Sequence, residues 1–126
     1  MNTNISTAST VSGSVKSTAK RLAGLPNAVT MCDARALAFG DLSSAMELCA
    51  VYLADFLTTN DKTIARKYLA SVRNVSEAIG LLSGADESPV IGRALVSAQA
   101  CLLTAHREFQ AHVDALLVAN RATVQA

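Results

Sequence analysis

The side chains of this 126-residue chain that could do chemistry are few: two histidines, three cysteines and ten carboxylates. His106 and His112 stand six positions apart in an Ala-rich apolar segment. On a helix that spacing turns them about 240° from each other, so they cannot grip one metal ion together. A di-iron carboxylate bundle would need Glu-x-x-His, which puts both ligands on one helical face. Leu103 and Phe109 hold the positions three before the two histidines, and the signature is absent. Glu108 and His112 share a face at i,i+4, a spacing that ordinarily gives a hydrogen bond or ion pair. Cys32, Cys49 and Cys101 are odd in number and far apart, which supports neither a zinc site nor a disulfide framework. Each lies in an apolar stretch, where a free cysteine acts as a small core hydrophobe, and the set suggests a reducing cytoplasm. No phosphate-cradling glycine loop, nucleophile elbow or haem-attachment motif occurs. The chain is therefore not expected to be an enzyme or to carry a metal or cofactor.

His112 still invites a ligand-binding alternative. It falls on the same helical seam as Ile91, Ala98 and Ala105, and a buried imidazole needs partners for its ring nitrogens. A pocket between helices near Cys49, Tyr52, Cys101 and His112 would then take a cofactor or small ligand.

The elements that must position these residues read as helices. Alanine is the commonest residue at 23, Trp is absent, and only Pro26 and Pro89 interrupt. Hydrophobic residues make up 51% and charged ones 17%, the balance of a folded globular chain. Such a composition suits close helix packing and poorly suits sheet. The expected fold is all-α: an antiparallel up-and-down bundle of three long helices. A fourth would come from a break at Gly40 or from the N-terminal arm.

The first helix is expected over Asn27–Thr59, with Leu42, Met46, Cys49, Leu53 and Phe56 forming its seam. Its polar residues Asp41, Ser44, Glu47, Asp55 and Thr58 share an arc of about 120°, leaving an apolar arc wider than a one-sided helix needs. Asn60 and Asp61 supply a cap and turn. The second helix spans Lys62–Leu82, with Ile64, Tyr68, Val72, Val75, Ile79 and Leu82 on one face, and Gly84 suits its C-cap. Ser88-Pro89 opens the third, which runs to about Asn120 along Ile91, Leu95, Ala98, Leu102, Ala105, Phe109, His112 and Leu116.

Two domains of unequal character follow: an arm over 1–25 and a bundle over 26–126. Nine of the first 18 residues are Ser or Thr, too little apolar surface to offset ordering, so the arm should be mobile in the free monomer. A faint stripe (Ile5, Ala8, Val11, Val15, Ala19, Leu22) would let it dock as a helix. In composition the arm resembles the N-termini of type III secretion substrates, which implies export without a cleavable Sec signal as an alternative to a cytoplasmic protein. The longest apolar run, Leu48–Ala54, is far below the roughly 20 residues of a membrane span, and no transmembrane segment is expected.

The net charge of +1 excludes a strong field toward nucleic acid. Its distribution is uneven: +3 over 1–25, −3 over 26–59, +3 over 60–73, −3 over 74–88 and +1 thereafter. Lys62, Arg66 and Arg73 share a face that suits an acidic surface, and no aromatics interleave them as nucleic-acid binding would favour. The leading expectation is a non-enzymatic interaction protein that self-assembles or binds a partner protein. Met46, Cys49, Leu53 and Phe56 would make the close contacts, and Lys62, Arg66 and Arg73 would orient them. The alternatives are a ligand-binding bundle and an exported subunit or secretion chaperone.

Overall fold

The computed structural model describes residues 3–83 and 88–125, with side chains described for 11–83 and 88–122. Four helices pack against each other: α1 (Thr3–Ala28), α2 (Asp33–Thr59), α3 (Lys62–Ser83) and α4 (Pro89–Gln125). Each packs on its neighbour in sequence, α1 also packs on α4, and α2 meets α4 across the middle.

The connections explain the up-and-down order. Asn60 takes the left-handed conformation (φ 58°) and its N–H donates to the Phe56 carbonyl at 2.8 Å, closing α2. Asp61 then caps α3: its Oδ1 accepts from the Thr63 N–H at 2.8 Å. At the opposite end Arg35 Nη2 donates to the Leu82 carbonyl at 3.2 Å, placing a cation at the C-terminus of α3. Pro89 begins α4, where a missing N–H costs nothing. The expected cap at Gly84 lies outside the described residues.

The largest departure from expectation concerns the N-terminal segment. The residues read as a mobile arm form most of α1, and Val15, Ala19, Leu22 and Leu25 lie in the same core as the rest of the chain. Their spacing keeps them on one stripe, and small polar neighbours let α1 come close to α2. Ser43 Oγ donates to the Ala19 carbonyl at 2.7 Å across that interface. Thr18 turns its hydroxyl back onto the Ser14 carbonyl at 2.9 Å and so is buried without a stray donor. The Ile5 and Ala8 side chains of that stripe lie outside the described residues.

The interruption expected at Pro26 is also displaced. Pro26 sits in the last turn of α1, and the chain leaves the helix only at Val29. α2 then runs without interruption through Gly40. Its 18-residue apolar window has a mean hydropathy of 1.3, enough by length and composition to cross a bilayer. In the bundle that composition serves three packing directions, toward α1, α3 and α4. The wide apolar arc read from the sequence thus has partners within the chain.

Candidate interaction surface

The residues expected to touch a partner divide into two groups. Met46, Cys49, Leu53 and Phe56 are buried in the chain's own core, none of them more than 3% exposed. They have no surface to offer another molecule while the bundle is closed, so their assignment as close partner contacts is corrected. An apolar seam looks the same in sequence whether its cover is intramolecular or not. Lys62, Arg66 and Arg73 are exposed on α3, with Lys67 beside them. The acidic residues Asp41, Glu47 and Asp55 are exposed on α2. Leu37, Leu48 and Val51 share that acidic face and are 70%, 46% and 39% exposed.

The alternative ligand site is not assembled. Cys49 is in the core, Tyr52 is half-buried, and Cys101 lines an open groove between α1 and α4 with Arg21, Ser97 and Thr104. His112 follows Cys101 by eleven residues on the same helix, about 16 Å along its axis. Among the described residues no group of His, Cys, Asp and Glu could hold a metal ion. Cys32 departs from its expected core role: it is exposed, at the N-cap of α2.

His112 instead works at the end of the bundle. Its Nε2 lies 2.6 Å from Asn60 Oδ1 at the α2–α3 corner. A carbonyl oxygen only accepts, so Nε2 carries the proton. Its ring meets Phe56 edge-on at 5.3 Å, and Phe109 packs on Tyr68 at 4.5 Å and on Phe56 at 5.0 Å. His106 stacks beside them, 5.8 Å from Phe109. This aromatic group ties α4 to the corner by ring packing. The Tyr68 hydroxyl is buried within it and has no hydrogen-bond partner among the described residues.

Burial fixes the protonation of the core. It pushes the Cys49 thiol from an ordinary 9.0 up to about 12. Burial, with Cys49 adding to it, also lifts the Tyr68 phenol well above its ordinary 10.0. Both shifts keep a proton on the folded chain that the unfolded chain releases above about pH 9. Stability should therefore be complete below pH 9 and fall as the pH rises, by roughly 1 kcal/mol per pH unit from Cys49 alone. Denaturant titrations from pH 8 to 11 check this, and Cys49→Ala should flatten the decline. A profile level across that range would contradict the burial of Cys49.

The His112–Asn60 contact also fixes levels along the bundle. α4 continues for thirteen residues, 113–125, past the corner, about 20 Å of helix. The Ser43–Ala19 bond sets the antiparallel register of α1, whose first residue, Thr3, comes about level with Asn60. Among the described residues α4 is the helix that continues beyond that plane. Val113 and Leu116 still pack against the core, while Leu117 is 50% and Val118 63% exposed. Farther back, Val96 (70%) and Leu103 (53%) lie on the outer side of the same helix. α4 runs to Gln125, past the end expected at about Asn120. The signal was present in the excess of the last helix over the second.

No protein-family model matches the chain, and neither the curated proteins nor the solved structures provide a match.

Proposed function

We propose that the chain is a non-enzymatic interaction protein, a helical bundle that presents the outer face and last turns of α4 to another protein surface. The observation that carries this reading is the continuation of α4 past the α2–α3 corner, beyond the other described helices. A helix of that length ordinarily gains its stability from packing an apolar face, and here Leu117 and Val118 face solvent. The exposed Lys62 and Arg66 lie at the same end of the molecule on α3, with Arg73 about 16 Å farther along the helix, and can orient an incoming acidic surface. Nothing in the geometry favours the ligand-binding or export alternatives, since the four ligand candidates diverge and the N-terminal stripe is used in the core.

The test is site-specific photo-crosslinking in the cells that make the protein. A photoreactive residue in place of Leu117 should give a discrete adduct, and the same residue in place of Leu81, which is 81% exposed on α3, should not. An adduct of twice the chain's mass identifies a second copy, and any other discrete mass a different partner. Equal, diffuse labelling at both positions removes the reading.

A further inference from the structure

The free end of α4 carries a pattern that selects its own occupant. Asp114, Leu117, Val118 and Arg121 stand at i, i+3, i+4 and i+7, and all are exposed. They form one stripe about 100° wide, turned away from the core line through Phe109 and Leu116. Gln110 begins the stripe, its Nε2 donating to Asp114 Oδ1 at 3.1 Å. The charges sit symmetrically about the apolar pair, the acid one turn before it and the base one turn after.

We infer that this stripe is a self-complementary docking surface for a second copy of the chain, paired antiparallel through the free ends of the two α4 helices. The inference rests on the interaction reading above and gives it a partner. A twofold axis between positions 117 and 118 brings Leu117 against Leu117 and Val118 against Val118. It also sets Asp114 of each copy at the level of Arg121 of the other, on both sides of the apolar centre. A parallel pair would instead oppose Asp114 to Asp114 and Arg121 to Arg121, so the charges specify direction. Such a pair is isologous and closes on itself.

The length agrees with this pairing. With the axis at that point, residue 113 of one copy lies opposite residue 122 of the other, so the overlap is the part of α4 that extends past the corner. The corners of the two bundles then stand about 15 Å apart along the paired helices, and neither bundle has to open. About three turns of paired helix bury less than the roughly 1,200 Å² of a stable standard interface, so the association should be weak and concentration-dependent.

Charge exchange tests the arrangement. Sedimentation of the purified protein from micromolar to millimolar concentration should show the mass doubling. Asp114→Arg places Arg opposite Arg121, and Arg121→Asp places Asp opposite Asp114, so each variant alone should remain a monomer. An equimolar mixture of the two should restore the dimer, because every facing pair is again opposite in sign. Both positions are exposed, and an unchanged helical circular dichroism spectrum confirms that the variants are folded. A wild-type chain that stays monomeric at millimolar concentration overturns the inference. So does a single variant that dimerises like wild type, or a mixture of folded variants that does not associate. In any of these cases a crosslinked adduct of another mass at position 117 would leave the broader interaction reading standing.

Discussion

Deletion of residues 2–20 should abolish cooperative unfolding and leave a chain with reduced helicity and exposed apolar surface. As a mobile arm, this segment would be dispensable; as most of α1, it is one of four walls of the core. The deletion takes Val15 and Ala19, 0% and 1% exposed, and the carbonyl that accepts from Ser43. The remainder, Arg21–Ala28, is two turns of helix, too short to hold its form alone. The side of α2 that α1 covers would then meet water, and that helix already carries the most apolar stretch of the chain. Burial of one valine contributes about 1.5–3 kcal/mol, and losing a whole packing helix removes several such terms from a total stability of about 5–15 kcal/mol. A thermal melt followed by circular dichroism, together with binding of a hydrophobic dye, reads the outcome. A truncated chain that melts cooperatively within a few degrees of wild type would place α1 outside the core.

That segment shows where the sequence was legible and where it was not. The seams of α2, α3 and α4 are spelled in Leu, Ile, Val, Met and Phe, and their periodicity locates them. The Asn60–Asp61 corner and Ser88-Pro89 are equally plain, because each needs a particular backbone or missing donor. α1 is harder because its contacts are made by Ser12, Val15, Thr18 and Ala19, all buried yet half of them polar by type. Counting hydrophobicity treats Ser and Thr as solvated, while in a close helix pair they act as small residues, and the Thr18 hydroxyl is absorbed by the Ser14 carbonyl. Pro26 misled for a related reason. A proline interrupts a helix interior, but in the last turn little ladder remains to break, and Val29 still donates to the Leu25 carbonyl at 2.9 Å. The proposed interaction surface is spelled out in Asp114, Leu117, Val118 and Arg121. It became readable only when the His112–Asn60 contact showed where the bundle ends.

The same change, Leu to Glu, should have opposite consequences at positions 53 and 117. Leu53 is 0% exposed and belongs to the seam that α2 turns toward the rest of the bundle. Removing a buried leucine side chain to alanine costs about 2–5 kcal/mol, and a carboxylate in its place adds several more for desolvation. The sum consumes most or all of a stability of about 5–15 kcal/mol, so Leu53→Glu should yield no folded transition in denaturant. Leu117→Glu lies where half the side chain already meets water. Its effect on the folded monomer should stay within about 0.5 kcal/mol, the range of ordinary surface substitutions. It should nevertheless abolish concentration-dependent mass doubling, because the twofold pair would bring two carboxylates together at its apolar centre. Urea midpoints and sedimentation measured on both variants separate the two kinds of apolar surface that sequence alone cannot distinguish. A Leu53→Glu chain with a wild-type midpoint would remove that residue from the core. A Leu117→Glu chain that unfolds early would mean that the end of α4 is held by the bundle itself and is not free to pair.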